Sequence, residues 1–170
     1  MTKYFKGGYL FGIVGGVFCL LAFWVLYWIG LEPIDFTLLF ACLITPVFVF
    51  IGTKNYRDTE GQGEMLFAQG MTVGFVIYGL VALITALGIA LFLEMDSTLF
   101  DSYKAEKITY LQGKEAYISE NVDQDAYDSA LAAHQKMSVW DVVLDVFLKI
   151  FMLELFFTII ISIILKRIKN

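Results

Sequence analysis

Glu154 is an acid set deep in an apolar run, and it is the residue with the most chemical potential in this sequence. Thr158, Ser162 and Lys166 follow it at four-residue intervals, which on a helix makes one polar stripe. Counting inward from Val146 puts its carboxyl about 12 Å inside a hydrocarbon layer roughly 30 Å thick. A charge at such depth costs about 2.5–3.5 kcal/mol on insertion scales, so the side chain is expected to face a bundle interior or a wet cavity. Thr45 and Thr85 fall at similar depth in their own apolar runs and are the expected hydrogen-bond partners. Two chemistries suit this arrangement. One is a proton or substrate site whose protonation changes with conformation. The other is a protonated carboxyl donating to a backbone carbonyl or threonine as interhelical glue, worth about 0.6–2 kcal/mol. No second ionisable group shares its depth, which disfavours a proton relay.

A second cluster, Lys54, Tyr56, Arg57 and Asp58, lies just past an apolar run. Lys54 and Arg57 can hold a lipid phosphate or dock a partner, with Tyr56 at headgroup level. Alternatively the group is a topology anchor in which Asp58 pairs with Arg57. Gly61 and Gly63 do not make a phosphate loop, because no Gly-Lys-Ser/Thr follows them. Gly8, Gly12 and Gly16 form a small-residue ridge, and Gly70 and Gly74 repeat its spacing. Such ridges let helix backbones approach closely, within one bundle or between chains. Asp141, Asp145 and Lys149 follow one another at four-residue spacing and read as a solvated helix face.

No nucleophile with an adjacent base, paired carboxylates, metal triad or nucleotide loop is visible, so no enzyme, cofactor or metal is expected. Cys19 and Cys42 sit inside apolar runs and read as small hydrophobes, and His134 has no companion at ligand spacing. Composition narrows the class further. Of 170 residues 59% are hydrophobic and 17% charged, with mean hydropathy +0.73. A soluble domain is nearer 45–50% apolar and 25% charged. The net charge of −5 supplies no basic stripe for nucleic acid. These side chains must therefore be positioned by membrane-spanning helices.

Four apolar runs are long enough to act as spans: about 9–29, 36–52, 71–93 and 146–165. The first is too long for a secretory leader and has no convincing cleavage site. The second is short and contains Pro46, which membrane helices tolerate when neighbours cover the lost hydrogen bond. Four crossings leave both termini on one side. Lys3, Lys6, Lys54, Arg57, Lys166, Arg167 and Lys169 all fall on that side, whereas the opposite Gly30–Asp35 loop has two acids and no base. By the positive-inside rule the termini and the Lys54 loop are cytoplasmic. Trp24, Tyr27, Trp28 and Trp140 fit an aromatic belt at the other interface.

Residues 94–138 hold nine acids against four lysines and are expected outside. Phe100, Tyr103, Lys107, Tyr110 and Leu111 recur at helical spacing, as do Tyr127, Leu131 and His134. Asn121–Gln124 and Ser138–Asp141 read as helix starts. The expected form is a hairpin of two short helices, then a last helix running from Val139 to as far as Ile168. The fold class is thus all-α: one membrane domain of residues 1–170, a four-transmembrane-helix bundle with an extracytoplasmic helical hairpin between spans three and four.

The text Gly52-Thr-Lys54-Asn-Tyr56-Arg57-Asp58, then Gly63, Phe67 and Gly74, with Leu-Glu154-Leu and Ser162-Ile-Ile-Leu-Lys166-Arg167 in the last span, resembles a known family. It is the bacterial inner-membrane family called domain of unknown function 4199, four-span proteins typical of Bacteroidota. The resemblance covers the whole chain. It departs at Leu66, where the family usually has serine, and at Met71, where it tends to have phenylalanine. It implies fold and membrane location and no activity. The functional expectation is an accessory or scaffold subunit of an envelope assembly, with membrane lipids around it and a protein partner or a second copy beside it. The alternative is a small transporter or lipid-handling protein that uses Glu154. Transporters often carry internal repeats, and the two halves of this chain do not match convincingly.

Overall fold

The computed structural model describes residues 3–115, 117 and 123–168. Six named helices follow in chain order: α1 (Lys3–Trp28), α2 (Pro33–Thr59), α3 (Phe67–Met95), α4 (Ser97–Gln112), α5 (Gln124–Gln135) and α6 (Val139–Leu165). Among the described residues there is no strand beyond one isolated bridge. Helices α1, α2, α3 and α6 are each long and apolar enough to cross a membrane. Their outward faces carry side chains such as Leu43, Leu91 and Phe156, each about two-thirds or more exposed, while polar residues lie inside. That inversion suits a hydrocarbon surround, where backbone groups are satisfied within the helices.

The chain divides into two compact units, Met1–Ile89 with Leu144–Asn170, and Ala90–Val143. Within the first, α1 ends in a glycine-terminated cap. Gly30, at φ 75°, donates to the Tyr27 carbonyl, and Leu31 donates to that of Leu26. This six-to-one, five-to-two pair is the Schellman arrangement, which only a residue tolerant of positive φ closes cheaply. Helix α2 then starts earlier than the apolar run implies. Glu32 accepts from the backbone of Ile34 and Asp35, both at 2.8 Å, and Pro33 occupies the first turn, where its missing N–H costs nothing. The helix continues unbroken through Pro46 to Thr59.

The expected extension of α6 to Ile168 does not occur. The helix stops at Leu165, and Arg167 exchanges two backbone hydrogen bonds with Met65, at 2.8 and 3.0 Å. An antiparallel bridge therefore replaces the last helical turn. The unit's core joins Val49, Tyr56, Val73, Ile77, Tyr78 and Ile161.

In the second unit Asp96 caps α4 by accepting from Thr98 and Leu99. Helices α4 and α5 contact each other, each burying a tyrosine, Tyr103 and Tyr127, and Lys104 reaches the Met137 carbonyl at 3.5 Å. The expected start at Asn121–Gln124 lies partly outside the described residues; α5 begins at Gln124 after Asp123. The start at Ser138 is a reciprocal cap. Ser138 donates its backbone N–H and hydroxyl to the Asp141 carboxyl, which accordingly lies below the ordinary carboxylate range.

Candidate functional site

Glu154, Thr158 and Ser162 share one face of α6, and each is at most 1% exposed. The neighbouring element on that face is α3, and its glycines make the space. A Cβ at Gly74 would collide with Thr158 Cγ2, and one at Gly70 would stand 3.0 Å from Ser162 Oγ. The Gly70–Gly74 repeat thus seats the polar stripe inside the chain. Lys166, which continues the spacing, lies beyond the end of α6 and is exposed.

Three other spans contribute to the same interior. Thr45 from α2 and Thr85 from α3 are fully buried, as is Cys19 from α1. Cys19 neighbours Thr85, Thr45 and Glu154 without a hydrogen bond to either threonine hydroxyl. Each membrane-crossing helix therefore supplies a residue to one polar centre. Cys19 is a free, fully buried small residue, as its setting in an apolar run implies.

Contact is not closure, however. Neither carboxyl oxygen of Glu154 has a hydrogen-bond partner, and the same holds for the hydroxyls of Thr45, Thr85, Thr158, Ser162 and Tyr78. No Glu154–Thr45 or Glu154–Thr85 hydrogen bond is formed among the described residues. Thr37 shows what a helix threonine ordinarily does, donating to the carbonyl four residues back, of Pro33, at 2.6 Å. Leaving a buried polar group unsatisfied costs about 1–3 kcal/mol. Each such group calls for a specific explanation.

The Lys54–Asp58 segment separates into different roles. Tyr56 is 1% exposed, its ring 5.6 Å from that of Tyr4 and packed against Gly7. It is a buried core residue. Arg57 is committed to Asp58, Nε to Oδ1 at 2.7 Å, and this bond holds the Asp58 carboxyl below its usual range. Lys54 alone points outward without such a commitment. Gly8, Gly12 and Gly16 face α3: a Cβ at Gly8 would stand 3.1 Å from the Val73 carbonyl oxygen, one at Gly12 2.9 Å from that of Ile77, and one at Gly16 2.8 Å from Ile84 Cβ. That ridge is used within the chain.

Among the described residues no three His, Cys, Asp or Glu side chains gather as metal ligands would. Four helices long and apolar enough to cross a membrane, with a few polar side chains buried among apolar ones, define an all-α integral membrane protein. The chain belongs to the family described as Protein of unknown function (DUF4199), whose model matches residues 10–167. No curated protein and no solved structure matches it.

Proposed function

We propose that this is an inner-membrane protein that works as a small carrier, with Glu154 as the group that takes up and releases a proton or a protonated solute during transport. Both termini are cytoplasmic in this reading and residues 94–138 lie outside. The observation that carries it is the Glu154 carboxyl, 1% exposed, with both oxygens unpartnered among hydroxyl-bearing side chains. An ionisable residue inside a membrane bundle is there for function by default, because insertion penalises it. No catalytic step is assigned. The test is proton flux into proteoliposomes carrying a pH-sensitive dye. The wild type should conduct or exchange protons, and Glu154→Gln, which keeps the shape, should not. Equal flux in both would exclude the carrier.

A second reading, an accessory subunit of an envelope assembly, rests on the acidic segment being folded into α4 and α5. Native purification in mild detergent separates the two. A stoichiometric co-purifying chain supports the subunit, and a lone band supports the carrier.

A further inference from the structure

A cavity of about 420 Å³ opens where the start of α1, the α2–α3 turn and the chain after α6 converge. Its floor is apolar and closed, Tyr56 and Met65 each being 1% exposed. Its walls carry charge of both signs: Lys3 and Arg167, Glu60 and Glu64. Among the described residues none of these four is in an ion pair, unlike Arg57, which is held by Asp58. Charges of opposite sign around one cavity, not closed into ion pairs with one another, make a dipolar lining, unlike the single-sign lining that suits a simple anion or cation.

The lining is held in place. The Met65–Arg167 bridge fixes the backbone on one side. On the other, Gln62 sits at φ 51°, an uncommon conformation for a residue with a side chain, followed by Gly63 at φ 87°. Such positions persist where surrounding structure over-determines them, often at ligand sites. The mouth has a different character. Leu66 and Ile168 line it and are 53% and 55% exposed. The cavity also lies just outside the apolar spans, since α6 ends at Leu165 and the third run begins at Met71. It is therefore at the depth of lipid headgroups.

We propose that this cavity binds a zwitterionic phospholipid with a primary ammonium, a phosphatidylethanolamine. Lys3 and Arg167 donate to its phosphate, and Glu60 and Glu64 accept from its ammonium. The acyl chains leave over Leu66 and Ile168. A phosphatidylglycerol head would bring a net negative charge against two carboxylates. A choline head has no N–H to donate. This site is separate from Glu154 and does not depend on the carrier reading.

The full chain, delipidated in mild detergent, would be titrated by native mass spectrometry with ethanolamine, choline and glycerol phospholipids of matched acyl chains. The ethanolamine lipid should bind about tenfold tighter than either other, the scale of one charge-assisted hydrogen bond. Arg167→Gln, which leaves the backbone bridge intact, and Lys3→Gln on a separate element should each remove that advantage. The Glu60→Gln, Glu64→Gln double variant should shift preference to the glycerol lipid. Equal binding of all three lipids, tighter binding of the glycerol lipid by the wild type, or an unchanged preference in both Arg167→Gln and Lys3→Gln would overturn the proposal. So would free phosphoethanolamine binding as tightly as the lipid, which would make the cavity a solute site.

Discussion

A carboxyl group that leaves water without gaining a hydrogen bond loses solvation and receives nothing local in exchange. Glu154 is in that position, and the consequence for stability is opposite in sign to that of a structural polar bridge. Replacing an unsatisfied buried group by an apolar one of similar size is neutral or stabilising, whereas breaking a satisfied pair destabilises. Glu154→Leu should therefore leave thermal unfolding in detergent unchanged or raise stability by about 1–3 kcal/mol. A clear loss of stability would restore the interhelical-glue role. Thr158→Val should behave alike, since its hydroxyl is equally unpartnered and its methyl already packs at Gly74. The stripe itself is legible in the sequence, because four-residue spacing on a span allows one face only. What stands beside Cys19 is less legible than its burial. A thiol in an apolar run has the periodicity of its neighbours, and only the packing of α1 against α2 and α3 turns it toward Thr45 and Thr85. The burial of Tyr56 is not legible either: an aromatic near a span end suits the interface at any exposure, and the close packing at Gly7 is what encloses it.

The elements owe their contacts to small residues, and this gives a sharp contrast. Gly12 has backbone oxygen 2.9 Å from where a Cβ would stand, while nothing lies within 4 Å of the corresponding point at Gly79. Gly12→Ala should cost about 1–3 kcal/mol by forcing α1 off α3. Gly79→Ala should be harmless or slightly stabilising, as alanine is the better helix former. Matching melting temperatures for the two variants would refute the close approach. The cap at the start of α6 makes a pH prediction. The Asp141 carboxyl is held below its ordinary value of 3.8 by Ser138, so its stabilisation is complete above that value. It is lost as pH falls through the lower, folded value. Amide exchange in the first turn of α6 should accelerate on acidification, and Asp141→Asn should remove the pH dependence; identical profiles would exclude the cap as its cause. Span existence was readable because about 20 apolar residues have few other uses. Span ends were less so: Glu32 and Pro33 start α2 early, and α6 stops for a partner about a hundred residues away in sequence, which no local pattern records.

For the molecule as a whole, charge asymmetry makes the decisive prediction. A cysteine introduced at Gln112 should react with a membrane-impermeant thiol reagent in intact spheroplasts, and one at Thr59 should not. The bases near the span ends motivate this expectation. Reversed labelling would invert the orientation and place the acidic helices in the cytoplasm. The Met65–Arg167 bridge adds a question of timing. Chains are made from the N-terminus onward, so the turn after α2 emerges long before the residue that fastens it. Until α6 has inserted, the segment around Gln62 has no clasp, and the lining supplied by Arg167 does not yet exist. A three-span intermediate should thus expose that turn to added protease, whereas the protein with α6 in place should resist. Closure of this one backbone pair ties the turn after α2 to the segment after α6, so a local fold of one loop waits on the insertion of a distant helix.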